Sequence, residues 1–266
     1  MANDLKPDFV IIGAMKCGTT TLAAQLGAQD GIFITEPKEP AFFSHDEIFA
    51  RGEDWYRSLY EPAQAGDIRG EASTEYSKLP TYPHAVDRLH AFAPDARLIY
   101  ITRDPYARIV SHYMHLWRDG TVPRDINRAV REHPEFIAYS KYEAQLQPWI
   151  ERFGDDAVLS LSMEDMAANP QAILERAARH IGYSADVHWR DDLDRMNPGV
   201  GHIRSFPLKR VLVDNPLMET LRRRLVPKGA RLRIRQLLGL ELTRKPMLSD
   251  DTRAFIAAEL EKPLHH

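Results

Sequence analysis

A chain of 266 residues, 44% hydrophobic and 27% charged with a formal net charge of −3, has the makeup of a globular protein that buries a core without covalent staples. Cys17 is its single cysteine, which excludes an intramolecular disulfide and a structural zinc held on several thiolates, and points to a reducing compartment. No apolar run approaches the roughly 20 residues needed to cross a bilayer, and the polar leader with Asp4, Lys6 and Asp8 lacks a secretory pattern. A cytoplasmic protein without a membrane anchor is therefore expected.

Asp8 to Ile12 is a short β-branched run ending at Gly13 and reads as a buried strand. A glycine-containing loop follows, and Thr20 to Leu26 has helical composition. Strand, loop and helix in that order open an α/β nucleotide fold. The pattern predicts a further short strand over Ile68–Glu71 and a helix over about Tyr82–Phe92, leading into a strand over Arg97–Thr102. A helix then runs from Pro105 to about Trp117, with Asp104 placed to cap it. Ser140–Phe153 reads as a helix stopped by Gly154, Ala157–Ser162 as a strand and Pro170–His180 as a helix.

This alternation predicts an α/β fold, a P-loop-like three-layer arrangement with a central parallel sheet flanked by helices. After Gly182 the periodicity weakens, and basic helical pieces extend to about Leu260. No repeat or convincing linker interrupts the chain, so a single domain over 1–266 is expected, with Leu264-His265-His266 set aside from the fold. Between Gly201 and Lys245 twelve Lys/Arg stand against three Asp/Glu, a local balance of +9. Two readings of that tract stand, a solvated helix surface or a face for an anionic ligand. Nucleic acid is disfavoured, because no aromatics interleave the charges.

The motif Gly13-Ala-Met-Lys-Cys-Gly-Thr-Thr-Thr21 has the glycine spacing of a nucleoside-triphosphate loop, but Thr19 stands where that loop requires lysine. The lysine comes earlier, at Lys16, inside the loop rather than beyond it. Backbone N–H groups at the helix start still suit an anion, and no partner acid is evident for holding Mg²⁺. The site reads as built for a short 5′-phosphate-type group without an obligatory metal. Arg103 leaves the end of the second clear strand, where ligands bind in open α/β sheets, and Ser111 follows about two helical turns later. A guanidinium and a hydroxyl suit a second phosphate.

Lys16-Cys-Gly-Thr-Thr20 after an apolar strand resembles the 5′-phosphosulfate loop of sulfotransferases dependent on 3′-phosphoadenosine-5′-phosphosulfate (PAPS). The segment from Arg103 to Ser111 resembles that family's 3′-phosphate motif. The resemblance runs from about Asp8 to Thr252 and is nearest the carbohydrate-sulfating branch, heparan sulfate enzymes included, and bacterial members. It implies that Lys16, Gly18, Thr19 and Thr20 bind the 5′-phosphate, with Cys17 and Thr21 as loop neighbours, and that Arg103 and Ser111 hold the 3′-phosphate. It implies PAPS as co-substrate, adenosine 3′,5′-bisphosphate as product, and a carbohydrate or other small molecule as acceptor.

In that branch a glutamate three residues before Phe-Phe is the catalytic base, and Glu39, in Pro37-Lys-Glu-Pro-Ala-Phe-Phe43, holds that place. A carboxylate among Pro40, Phe42 and Phe43 would be desolvated and so become a stronger base. Glu71 is the second candidate, although Ala72 follows it where heparan sulfate enzymes often have lysine. Gly201-His-Ile-Arg-Ser-Phe-Pro207 resembles the family's closing loop, which puts Arg204 on a phosphate and His202 nearby. Tyr113, Trp117 and Tyr142 suit either a pocket wall or the core, and His112 and His115 a pocket wall or the surface. Two other readings remain open: an ATP-dependent small-molecule kinase with a modified loop, and a non-catalytic nucleotide-binding module.

Overall fold

The computed structural model describes residues 5–193 and 245–264. Five strands, β1 (Phe9–Gly13), β2 (Ile32–Ile34), β3 (Ile68–Glu71), β4 (Arg97–Thr102) and β5 (Val158–Ser162), form one parallel sheet in the order β2-β3-β1-β4-β5. β1 is buried at every position and Leu98–Ile101 of β4 likewise, as expected of central strands covered on both faces. Between the strands lie the helices α1 (Thr19–Gly27), α2 (Asp46–Phe49), α3 (Glu53–Ser58), α4 (Ala85–Phe92), α5 (Pro105–Asp119), α6 (Ile126–Glu132), α7 (Glu135–Ala138) and α8 (Tyr142–Phe153). Beyond the sheet follow α9 (Met163–Ala168), α10 (Pro170–His180) and α11 (Asp250–Leu260). The predicted parallel sheet flanked by helices is the observed architecture.

The expected strands and long helices are all present, with shifted ends that have local causes. α4 starts at Ala85 rather than Tyr82, because Pro83 disfavours helical backbone in the residue before it. α8 starts at Tyr142 rather than Ser140, whose hydroxyl accepts from Arg108 Nε at 2.6 Å and whose N–H closes the preceding turn onto the Ile137 carbonyl. Asp104 caps α5 as expected, its Oδ1 accepting from the Ala107 N–H at 2.7 Å. Gly154 ends α8 at φ 88, a conformation glycine adopts without penalty. The three residues of β2 carry too little pattern to be seen in the sequence.

Close packing divides the chain into two units. The first, Met1–Arg108, Ile137–Met196 and Ala258–His266, holds the whole sheet. Its core includes an aromatic cluster: Phe42 stacks on Tyr56 at 4.7 Å and 11°, and Phe43 meets Tyr56 and Tyr76 edge-on at 5.0 and 5.5 Å. α1 packs against β1, β2 and α10, and α4 against α8.

The second unit comprises Ile109–Phe136 and Asn197–Ala257. In its described part Tyr113 donates to the carbonyls of Pro123 and Arg124 at 3.1 and 2.6 Å, and Asp125 caps α6. Asn127 Oδ1 accepts from the Ser249 N–H at 2.8 Å, and Arg131 pairs with Asp251 at 2.6 Å.

Candidate functional site

In a parallel sheet every strand ends at the same edge. The topology places the segments that leave it side by side in the order β2, β3, β1, β4. Glu39 follows β2, Glu71 ends β3, Lys16 follows β1 and Arg103 follows β4. Four segments far apart in sequence thus share the carboxyl edge of one sheet, with the strand order reversing around β1.

The loop between β1 and α1 is fixed by its backbone. Ala14 N–H donates to the Ile101 carbonyl at 2.9 Å, Cys17 N–H to the Ala14 carbonyl at 3.2 Å, and Leu22 N–H closes the first turn of α1 onto the Gly18 carbonyl at 3.1 Å. Gly18 is the N-cap residue, at φ 88, and no side chain caps this helix. The first N–H groups of α1 therefore present their partial positive charge uncapped, the arrangement that suits a phosphate. A Cβ at Gly18 would meet Met166 Cε at 2.6 Å and would have to adopt a left-handed backbone. At Gly13 a Cβ would run into Ser77 Oγ, which fills the space a side chain would take and donates to the Ile12 carbonyl at 2.7 Å.

Lys16 stands at φ 70 in the middle of this loop, and its carbonyl accepts from Arg103 Nη1 at 3.0 Å. The Arg103 carbonyl in turn accepts from Tyr142 Oη at 2.8 Å, and Asp104 N–H donates to Glu164 Oε1 at 2.9 Å. The two basic residues assigned from sequence to different phosphates are joined directly. Cys17 is fully buried behind them, 3.8 Å from Tyr142 Oη, and burial pushes its thiol up to about 11. Thr19 is buried, whereas Thr20 and Thr21 are half-buried on the first turn of α1. Ser111 lies on α5, in the second unit, and is half-buried. Arg204 and His202 lie outside the described residues, as does the basic tract apart from Lys245.

Glu39 and Glu71 occupy opposite settings. Phe42 and Phe43 turn into the core, so they do not enclose Glu39, and the expected desolvation is not what the structure shows. The Glu39 side chain is 39% exposed, with Lys38 Nζ 2.6 Å from Oε1 and Thr74 Oγ1 3.4 Å from Oε2. Glu71 is 0% exposed. Its Oε1 accepts from Tyr56 and Tyr76 hydroxyls at 2.6 and 2.7 Å, and its Oε2 from Ser73 Oγ. Tyr56 directs its proton to Glu71 and so accepts from Tyr60 at 2.9 Å. Burial pushes the Glu71 carboxyl up to about 7, with the three hydroxyl donors opposing the rise and Glu39 adding to it.

Sequence reasoning missed the residues that surround these carboxylates. Ser73, fully buried, links Glu71 to the Ala41 N–H, which it accepts at 3.1 Å. Its spacing of two from Glu71, which puts alternate side chains of an extended segment on one side, was the available signal. His45 Nε2 and Lys78 Nζ lie 2.6 and 3.1 Å from the carboxylate of Glu75. Burial works against the Glu75 charge, but Lys78 and the His45 hydrogen bond outweigh it and hold the carboxyl below its ordinary range. Tyr113 and Trp117 are core residues and His112 is buried, whereas His115 is half-buried with Arg118 3.2 Å away.

The sulfotransferase family model matches residues 41–187, more than half of the chain, a span that takes in Glu71, Arg103 and Ser111 and begins beyond Lys16 and Glu39. Among curated proteins, mouse heparan sulfate glucosamine 3-O-sulfotransferase 3B1 is 28% identical over 185 residues, covering 66% of this chain and 46% of that protein. Human heparan sulfate glucosamine 3-O-sulfotransferase 6 is 29% identical over 184 residues, 66% of this chain and 52% of that protein. The chain thus spans about half the length of these relatives. A solved sulfotransferase from Alicyclobacillus acidocaldarius superposes with a TM-score of 0.61 at 30% identity, over 73% of this chain and 87% of that one. On this match, and with the phosphate-type loop at the edge of a parallel sheet, the chain belongs to the sulfotransferase family.

Proposed function

We propose that this protein transfers a sulfuryl group from PAPS to a hydroxyl or amine of a carbohydrate or other small acceptor, without a metal ion. The observation that carries the reading is the hydrogen bond from Arg103 to the carbonyl of Lys16, which brings the end of β4 against the loop before the uncapped start of α1. An ATP-type loop would have its lysine at position 19, where Thr19 stands, and has no use for a 3′-phosphate anchor. The carbohydrate chemistry named for the relatives supports the acceptor class.

The described residues fit the donor. The N–H groups of Gly18, Thr19 and Thr20 and the Lys16 ammonium suit the 5′-phosphate, with Cys17 and Thr21 as loop neighbours, and the Arg103 guanidinium suits the 3′-phosphate. PAPS supplies the activated sulfuryl group. Lys16 offsets the charge that grows on the 5′-phosphate as its bond to sulfur breaks, and Glu39 takes the acceptor proton as the new bond to sulfur forms. Adenosine 3′,5′-bisphosphate leaves. The partly exposed carboxylate of Glu39 is open to an acceptor, whereas both oxygens of Glu71 are engaged within a buried cage. The cytoplasmic setting is part of the proposal and rests on the single, buried Cys17.

Glu39→Gln tests the assignment. It should leave adenosine 3′,5′-bisphosphate binding intact while lowering sulfuryl transfer from labelled PAPS by roughly 10²–10⁴-fold. Full transfer in that variant would take the base role away from Glu39.

A further inference from the structure

Glu71 is a fully buried carboxylate whose partners all have a second task. Its Oε2 accepts from Ser73 Oγ, and the same oxygen of Ser73 accepts from the Ala41 N–H at 3.1 Å. Its Oε1 accepts from Tyr56 and Tyr76, and these are the rings on which Phe42 and Phe43 pack, at 4.7 Å for Phe42 on Tyr56 and 5.5 Å for Phe43 on Tyr76. One carboxylate therefore orients three of the side chains against which residues 41–43 rest, beside Phe49, Trp55 and Phe92, which it does not touch. Glu39 lies two residues before Ala41, and Ala41 stands at φ 54, a left-handed conformation that a residue with a Cβ keeps only when its surroundings hold it. The Lys38 carbonyl, which accepts from the Ala72 N–H at 3.0 Å, ties the other side of Glu39 to the same segment after β3.

We propose that Glu71 is a positioning residue, which through Ser73 and the two tyrosines sets the backbone from Glu39 to Phe43 and so the place of the Glu39 carboxylate. The proposal rests on Glu39 being the base. In its ionised form Glu71 only accepts, so the Ser73 proton points to Glu71 and the Ser73 lone pairs are left to the Ala41 N–H. An amide at position 71 has one acceptor where the carboxylate has two, so it turns an N–H either to Ser73 or to the two tyrosines and breaks the relay on that side.

Ser73→Ala and Glu71→Gln test this alone and combined with Glu39→Gln. The readouts are release of adenosine 3′,5′-bisphosphate from PAPS in the presence of heparan sulfate, with water as the acceptor where the polysaccharide is not one, binding of adenosine 3′,5′-bisphosphate, and amide hydrogen exchange at Ala41. Each single variant should lower kcat by roughly 10²-fold, the scale of a misplaced catalytic group. Nucleotide affinity should stay within about twofold, and Ala41 exchange should quicken. On the Glu39→Gln background either change should alter turnover by less than about twofold, because groups acting as a unit are not additive.

Loss of turnover that adds in full to that of Glu39→Gln would overturn the positioning role while leaving Glu39 as base. So would wild-type kcat in either folded single variant, or nucleotide affinity falling in step with turnover. Full turnover in Glu39→Gln alone would remove the base and this role together. If Ser73→Ala does not fold, Glu71→Gln, which keeps the cage filled, carries the same comparison.

Discussion

At the scale of single residues two carboxylates at one sheet edge stand in opposite environments. Glu39 keeps a cation and a hydroxyl at hydrogen-bond range and an open side; Glu71 keeps three hydroxyls and no open side. The buried one has a consequence for stability. Its carboxyl rises from an ordinary 4.5 to about 7 on folding, through burial first, with Glu39 adding to the rise and Ser73, Tyr56 and Tyr76 opposing it; Tyr60 reaches it only through Tyr56. Between those two pH values the folded chain holds a proton that the unfolded chain has lost. Stability from this group is therefore complete below about pH 4.5 and falls as pH rises through 7, by about 3 kcal/mol in all. Denaturant titrations at pH 5 and pH 8 should show the wild type losing most of this amount relative to Glu71→Gln. Parallel losses in the two proteins would contradict the buried setting. None of this is legible in the sequence, where the two phenylalanines after Glu39 point to that residue as the desolvated acid. A residue's neighbours in the chain do not say which way their rings turn, and here they turn into the core.

Among the elements, those whose pattern is long or whose ends carry strong signals were readable. β1, β4 and α10 fall within a residue or two of expectation, because continuous apolar runs and the Asn169-Pro170 start of α10 are local information. β2 was not readable: three residues at the edge of the sheet take their structure from pairing with β3. The loop between β1 and α1 was legible because its course depends on backbone, and the left-handed, closely packed turn at Gly18 requires glycine. Gly18→Ala tests that dependence. A left-handed alanine costs about 1–2 kcal/mol, and its Cβ would displace Met166 at the start of α1. The chain should still fold, with a lower melting temperature, while its affinity for adenosine 3′,5′-bisphosphate falls by about tenfold or more. Unchanged affinity would mean that the start of α1 does not hold the nucleotide.

For the whole molecule, strand order does what no single motif can. A parallel sheet ordered β2-β3-β1-β4-β5 brings Glu39, Glu71, Lys16 and Arg103 to one edge, although 87 residues of sequence separate Lys16 from Arg103. The sequence shows each motif and its element, but not the reversal of strand order around β1 or the hydrogen bond between Arg103 and the Lys16 carbonyl, which arise only when the sheet assembles. On the proposed function, that join is what selects a nucleotide carrying phosphates at both 3′ and 5′ positions over one carrying a 5′-triphosphate. Calorimetric titration of the protein with adenosine 3′,5′-bisphosphate and, separately, with ATP, both without Mg²⁺, tests it most directly. Tight binding of the bisphosphate with little or no response to ATP is the predicted result. Preference for ATP, or no binding of either, would mean that the Arg103–Lys16 contact is structural, and would contradict the two-phosphate reading on which the proposed sulfuryl transfer rests.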